Sequence, residues 1–181
     1  MTRKDNKYVK EDIKEICSYL QSMSQIENLR GSYILVTGAT GLIGSFAVKS
    51  LYALNEKTKL DIHILAIIRN WEKVRAIFGD EYLQMNNVKF IYADILEPIK
   101  VEEPVDYIIH GAAVTTSKIM VSKPVETLNT AIIGTGNVLK LACEKKISSM
   151  VYLSSMEMCG NMASDKTVTE EDIGYINPLA L

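Results

Sequence analysis

Two kinds of segment alternate along the chain. Short apolar runs of strand length are separated by longer stretches in which apolar residues recur every three or four positions, as in an amphipathic helix. The runs predict strands at residues 33–37, 61–68, 88–92, 105–110 and 150–153, and the longer stretches predict helices at 42–54, 71–78 and 124–145. Because strands that alternate with helices form parallel sheets covered on both faces, the pattern predicts an α/β domain.

One further helix is predicted before the first strand. Its apolar residues draw a single stripe over roughly five turns, and they are Val9, Ile13, Ile16, Leu20, Met23 and Ile26. We therefore divide the chain into a helical extension, residues 1–30, and a main domain, residues 31–181. The stripe is expected to pack on the flank of the sheet, with contact to a partner as the alternative.

Three glycines follow the first strand directly, at the point where the next helix begins. A pyrophosphate needs this arrangement, because side chains would block its approach to the backbone and a helix N-terminus offers unpaired N–H groups. The alternative is a glycine-rich turn without a ligand. The residues predicted to hold a dinucleotide here are Gly38, Thr40, Gly41, Leu42, Ile43 and Gly44.

With Thr37 before it, this turn resembles the Thr-Gly-x-x-Gly-x-x-Gly of the extended short-chain dehydrogenase/reductase family, which includes nucleotide-sugar epimerases, dehydratases and decarboxylases. The expected fold is a Rossmann-like doubly wound parallel sheet in three α/β/α layers, with strand order 3-2-1-4-5 and incomplete in this chain. The resemblance implies NAD or NADP as cofactor and a nucleotide-sugar as substrate. It also makes a homodimer a candidate assembly.

The tips of the second and third predicted strands would meet the adenosine end of the cofactor. Arg69 and Asn70 stand where an acidic residue would bind the ribose of NAD, so Arg69 slightly favours the 2′-phosphate of NADP. The alternative is a surface arginine stacked over adenine in an NAD enzyme. Asp94 and Ile95 follow the third strand, and the resemblance gives Asp94 the adenine amino group, with a plain turn residue as the alternative.

Small residues follow the fourth strand, where they leave room for the cofactor. The resemblance assigns dinucleotide contacts to Gly111, Ala112, Ala113 and Thr115, whereas His110 is interpreted as a packed, hydrogen-bonded core histidine.

Residues 134–139, Gly-Thr-Gly-Asn-Val-Leu, resemble the end of the family's Asn-x-x-Gly-Thr-x-Asn-Val-Leu, with one departure at the start of the motif. Ala131 replaces the usual asparagine, so its bridging role would pass to Asn129, Thr130 or water.

A second informative motif follows the fifth strand. Ser154-Ser155-Met156-Glu157 resembles the Ser-Thr/Ser-x-Glu of nucleotide-sugar enzymes. By position Ser155 would hydrogen-bond the sugar 4-hydroxyl, Glu157 would act as acid/base near C5, and Ser154 would contact the cofactor. Met156 replaces the aspartate usual in 4,6-dehydratases, and Cys159 replaces a tyrosine. A serine pair that merely caps the next turn is the alternative.

The family's catalytic Tyr-x-x-x-Lys pair is missing, because none of the nine tyrosines has lysine four residues later. The simplest interpretation is an N-terminal fragment of a nucleotide-sugar enzyme that works through a 4-keto-sugar, formed by hydride transfer to the nicotinamide. The fragment would bind cofactor at best weakly and turn nothing over. The alternatives are an NADPH-dependent reductase of the same family and a non-catalytic, redox-sensing dinucleotide-binding protein.

Composition excludes several other classes. The 181 residues are 48% hydrophobic with a net charge of −2 and no basic run, so neither nucleic acid nor an anionic membrane is an expected partner. Without a transmembrane-length apolar run or a signal-peptide pattern, the expected location is the cytoplasm. The three cysteines and two histidines have no metal-ligand spacing, so the cysteines are expected to be reduced thiols and no metal is expected.

Overall fold

The computed structural model describes residues 7–160, 167–172 and 174. A single sheet of five parallel strands has the order β3-β2-β1-β4-β5, which confirms the predicted order. The strands are β1 (Tyr33–Thr37), β2 (His63–Ile68), β3 (Val88–Tyr92), β4 (Tyr107–His110) and β5 (Ser149–Tyr152).

Helices cover both faces of this sheet. They are α1 (Lys7–Ser22), α2 (Leu42–Thr58), α3 (Trp71–Leu83), α4 (Ser117–Ser122), α5 (Pro124–Asn129) and α6 (Thr135–Lys145). A π-helical turn, Thr130–Gly134, joins α5 to α6, and short 3-10 helices lie at Ile26–Leu29 and Met156–Cys159. Among the described residues, no helix combines the length and the apolar character that crossing a membrane would require.

The alternation of side chains along the central strands builds two cores. In β1, Ile34 and Val36 belong to the core shared with α1, α2 and α3, whereas Leu35 belongs to the core shared with α6. Since successive strand residues point to opposite faces, both faces of the sheet are covered and the doubly wound architecture follows.

The predicted N-terminal helix packs on α2, with Cys17 fully buried and its thiol donating to the Ser50 carbonyl at 3.5 Å. Its predicted length is wrong, because α1 ends at Ser22 and the 3-10 helix follows. The Ser22 hydroxyl donates to the Tyr19 carbonyl at 2.6 Å, a local bond of the kind that competes with helix continuation.

Several predicted boundaries also shift. β2 begins at His63 rather than 61, because Asp61 has a left-handed backbone (φ 57°) and the Asn55 side chain binds both the N–H and the carbonyl of Ile62. Those backbone groups are then unavailable to the strand ladder. β4 begins two residues later than predicted and β5 one residue earlier.

The predicted helices are longer or less regular than their apolar patterns indicate. α2 continues to Thr58, and α3 passes Phe78 to reach Leu83 with Gly79 as a non-helical residue inside it (φ 73°). The single helix predicted at 124–145 consists of α5, the π-helical turn and α6, and α4 was not predicted.

Candidate functional site

The predicted site residues gather at one edge of the sheet. All five strands are parallel, so their carboxyl ends meet there, with β1 in the centre and β3 and β5 at the flanks. This edge, outside the carboxyl ends of the strands, is where open α/β sheets bind ligands.

The glycine turn after β1 is packed too closely for side chains. A Cβ on Gly38 would lie 2.6 Å from the Gly111 carbonyl oxygen, and one on Gly44 would lie 2.8 Å from the Gly38 carbonyl carbon. Gly38 also has a positive φ of 69°. The glycines therefore bring the backbones of the first and fourth strand ends together and seat α2 against them.

The N-terminus of α2 opens onto this edge. Its N-cap, Gly41, supplies no side-chain acceptor, so the first-turn amides retain their anion-binding capacity. Leu42 and Ile43 are 78% and 60% exposed, and Thr40 lies half-buried in the turn. The predicted cradle therefore combines helix N-terminal amides, which suit a pyrophosphate, with exposed apolar side chains beside them.

The tips of β2 and β3 lie side by side. The Arg69 guanidinium is 3.5 Å from the Asp94 carboxylate, whose other oxygen accepts the Leu96 N–H at 3.0 Å. Asn70 is the N-cap of α3 and accepts the Lys73 N–H at 2.9 Å, while Ile95 is buried. The structure thus brings the predicted adenosine-binding residues together and joins two of them in an ion pair.

The turn after β4 is anchored to β1 by hydrogen bonds. The Gly111 N–H donates to the Thr37 carbonyl at 3.3 Å, and the Ala112 N–H donates to Thr37 Oγ1 at 3.2 Å. Ala113 and Thr115 are exposed beyond it. This places the small-residue turn directly beside the glycine turn.

His110 ends β4 and is only 1% exposed, which confirms its interpretation as a packed histidine. Its Nδ1 lies 2.6 Å from Thr37 Oγ1 and its Nε2 lies 3.1 Å from Thr135 Oγ1. Burial away from water lowers the pKa of the imidazole, so His110 is neutral at pH 7. It connects β1, β4 and α6 through these hydrogen bonds.

A cavity of about 200 Å³ opens beside this histidine. Its walls come from the turn after β4, the ends of α4 and β5, and one face of the α5–α6 segment, and the lining residues are His110, Ala112, Ala113, Val114, Met120, Thr127, Ala131, Thr135, Tyr152 and Leu153. Ala131, which replaces the family asparagine, therefore faces the cavity. Asn129 does not line it, so its proposed bridging role stays a prediction.

The serine motif lies at the same edge, after β5. Ser154 and Ser155 are both exposed, and the Ser154 hydroxyl donates to the Met158 sulfur at 3.2 Å. Glu157 lies in the 3-10 helix Met156–Cys159, but its side chain is outside the described part of the structure. The edge thus carries the adenosine-end residues on one flank and the candidate sugar-binding residues on the other.

Sequence reasoning missed several residues that build the site. Thr37 and Thr135 hold His110, Tyr152 lines the cavity, and the Asn137 side chain donates to the Ile95 carbonyl at 2.8 Å. Thr37 and His110 are the last residues of two strands that pair in parallel, and this register was the one signal that could have predicted their contact. Within the described residues, no group of three His, Cys, Asp or Glu side chains could hold a metal ion.

A parallel sheet of this order, with a closely packed glycine turn at its central strand, defines a dinucleotide-binding fold of the doubly wound class. Residues 34–180 match the model of the NAD dependent epimerase/dehydratase family. The chain belongs to that family.

Similar proteins include UDP-glucuronic acid decarboxylase 1 of Xenopus tropicalis, 30% identical over 81% of this chain and 32% of that protein. UDP-glucose 4-epimerase of Rickettsia bellii is 32% identical over 67% of this chain and 36% of that protein. The solved structure of dTDP-glucose 4,6-dehydratase from Bacillus anthracis in complex with NAD has a TM-score of 0.61, with 22% identity over 81% of this chain and 45% of that chain. This chain therefore spans about a third of the length of these curated relatives.

Proposed function

We propose that this chain is the NAD(P)-binding part of a nucleotide-sugar epimerase, dehydratase or decarboxylase that acts through a 4-keto-sugar intermediate. The observation that carries the proposal is the glycine turn: a Cβ on Gly38 or Gly44 would meet backbone atoms, and the amides of α2 open beside it. The serine motif after β5 lies at the same edge.

The residues at this edge fit a dinucleotide, and different residues would contact its different parts. The α2 amides would hold the pyrophosphate, Arg69 and Asp94 would face the adenosine, and the turn at 111–113 would face the nicotinamide half. When bound, the nicotinamide would accept a hydride from the sugar C4 and later return it. Ser155 would orient the 4-hydroxyl, and Glu157 would move a proton at C5.

The 181 residues contain no Tyr-x-x-x-Lys pair, so we propose that the chain alone binds the cofactor weakly and turns nothing over. The share of its relatives that the chain spans supports a longer parent protein. Detectable hydride transfer by the purified chain would refute this part of the proposal.

The first test is calorimetric titration of the chain with NAD and, separately, NADP. We expect measurable binding that Gly41→Val abolishes, because a branched side chain at the N-cap would cover the α2 amides. Gly136→Ala is the matched control, since a Cβ there meets nothing within 4 Å and the residue lies on exposed α6 surface. No binding of either dinucleotide would overturn the proposal.

The sugar chemistry is tested on the longer parent with UDP-glucuronate, UDP-glucose and dTDP-glucose, with products identified by NMR. Glu157→Gln should abolish turnover while it spares cofactor affinity. Retained activity of that variant on a small ketone or aldehyde would favour a reductase instead, and a parent without the Tyr-x-x-x-Lys pair would favour a non-catalytic protein.

Assembly and location stay predictions. Exposed apolar residues follow the segment from α5 through the π-helical turn to α6 and offer a surface for a second copy; they are Val125, Leu128, Ile132 and Leu139. The solution mass from light scattering tests the homodimer, and fractionation of the source cells tests the cytoplasmic location.

A further inference from the structure

We propose that Asp94 is a specificity-determining residue that opposes Arg69, so that Arg69 alone does not make this an NADP-selective site. The proposal rests on the dinucleotide function above. It concerns how the residues around the adenosine would discriminate between the 2′-hydroxyl of NAD and the 2′-phosphate of NADP. Asp94 is fixed beside Arg69 and keeps a negative charge at the place where NADP would bring its additional phosphate.

The Asp94 carboxylate is held in place by its own turn. One oxygen accepts the Leu96 N–H at 3.0 Å, and the Asp94 carbonyl accepts the Glu97 N–H at 3.1 Å. The other carboxylate oxygen faces the Arg69 guanidinium at 3.5 Å. The carboxylate therefore cannot turn away from an incoming anion without losing the hydrogen bond that shapes the turn.

Arg69 is the mobile partner of the pair. Its side chain is 62% exposed, and the 3.5 Å separation is longer than an ordinary N–H···O hydrogen bond. Its backbone is anchored, because the next residue caps α3. The guanidinium can therefore reach toward a phosphate, but only by leaving a carboxylate that stays behind.

The charges at this corner nearly balance. Arg69 and Asp94 cancel each other, Glu72 and Lys73 in the exposed first turn of α3 carry opposite charges, and the exposed Glu97 in the Asp94 turn adds one negative charge. A 2′-phosphate would add negative charge next to Asp94, whereas the neutral 2′-hydroxyl of NAD would leave the ion pair undisturbed. The wild-type chain should therefore discriminate little between the two cofactors.

The test compares the ratio of NADP to NAD dissociation constants in the 181-residue chain by calorimetry. Asp94→Asn should shift the ratio about tenfold toward NADP, because the repulsion between nearby charges is removed. Asparagine retains an oxygen for the Leu96 N–H, so the turn is preserved. Any lost contact to adenine weakens both cofactors equally and cancels in the ratio.

Four further measurements complete the design. Arg69→Ala should shift the ratio toward NAD, and in the Arg69→Ala background Asp94→Asn should change the ratio less than it does alone. Asp80→Asn, which removes an exposed carboxylate from the other end of α3, is the control for net charge and should leave the ratio unchanged. Added salt should reduce the effect of Asp94→Asn.

The outcomes separate this inference from the function on which it rests. Binding with a ratio that Asp94→Asn leaves unchanged, or that Asp80→Asn shifts as much, would overturn the inference alone. Absence of binding to both dinucleotides would overturn the proposed function and the inference together.

Discussion

His110 shows how a single buried residue holds three elements together. The Thr37 hydroxyl accepts a hydrogen bond from the Ala112 N–H and can donate its own O–H to His110 Nδ1. A neutral imidazole has one acceptor and one donor nitrogen, and Nε2–H then donates to Thr135 Oγ1. In this arrangement both imidazole nitrogens and the Thr37 hydroxyl have hydrogen-bond partners.

The imidazole of His110 should have a pKa below the ordinary 6.5, because burial disfavours its charged form. NMR titration of the ring resonances, assigned with His110→Gln, should give a titration midpoint for His110 below pH 6.5. A midpoint at or above pH 6.5 would contradict the prediction.

Stability should follow the same shift. Because the lowered pKa lets the unfolded state bind the proton more tightly, the free energy of unfolding is maintained above about pH 6.5 and falls as the pH drops below it. Glu103 does not contribute to this change, because its pKa is lowered by the hydrogen bond to Lys89 and it affects stability only below about pH 4.5, its ordinary value. Urea midpoints at pH 7.5 and 5.5 should therefore differ in the wild type and differ less in His110→Gln.

The cysteines should differ in reactivity. Cys17 is fully buried and burial raises the pKa of its thiol, whereas Cys143 is exposed on α6. Iodoacetamide at pH 8 should modify Cys143 in the native protein and Cys17 only after denaturant is added, as measured by mass spectrometry of peptides. Equal labelling of the two thiols before denaturation would show that α1 does not protect Cys17.

At the scale of elements, the strand interiors were predictable because a parallel strand buried on both faces has a continuous apolar run. The ends were not. β2 starts after Ile62 because Asn55, in the preceding helix, binds both backbone groups of that residue, and no local pattern announces such a contact. The helix that begins at Trp71 breaks at Gly79 (φ 73°), as a glycine after an apolar face signals, but a further helical turn follows to Leu83, and the apolar pattern did not predict that turn.

The candidate site also has one part that the sequence could predict and one part that it could not. The glycine turn and the positions of Arg69, Asp94 and Ser154 could be predicted, because each follows a strand and parallel strands end at one edge. The pairing of Arg69 with Asp94 and of His110 with Thr37 and Thr135 depends on contacts between segments distant in sequence. The π-helical turn was also missed, since its apolar residues fit an ordinary helix equally well.

Gly134, the last residue of that turn, should not tolerate a side chain. A Cβ there would lie 2.5 Å from Ile95 Cδ1, so Gly134→Ala should lower the free energy of unfolding by about 1–3 kcal/mol through overpacking. Urea denaturation measures the change. Ile95→Val removes that methyl group and should recover part of the loss when combined with Gly134→Ala.

The matched control lies two residues away. A Cβ on Gly136 meets nothing within 4 Å, so Gly136→Ala in α6 should stabilise the protein by about 1 kcal/mol through helix propensity. A similar loss in both variants would show that the effect belongs to the helix backbone rather than to Ile95.

At the scale of the whole molecule, the question is whether α1 is an appendage or part of the folding unit. Residues Ile13, Cys17 and Leu20 belong to the same core as Ile34 and Val36 of the central strand. Because α1 packs on α2 and α2 packs on the sheet, the loss of α1 contacts would expose part of a core that the main domain shares. The boundary at residue 30 therefore separates two stretches of the sequence and not two folding units. We expect the two parts to unfold together.

Leu20→Ala tests this expectation, since the half-buried leucine should cost about 1–2 kcal/mol, less than a fully buried one. The single tryptophan, Trp71, lies at the start of α3 with its ring 6.4 Å from Phe90, so its fluorescence reports on the main domain. In one cooperative unit, the fluorescence and far-ultraviolet circular dichroism transitions shift together. The exposed Tyr19→Ala is the control, and a Trp71 transition left in place by Leu20→Ala would make α1 a separate unit.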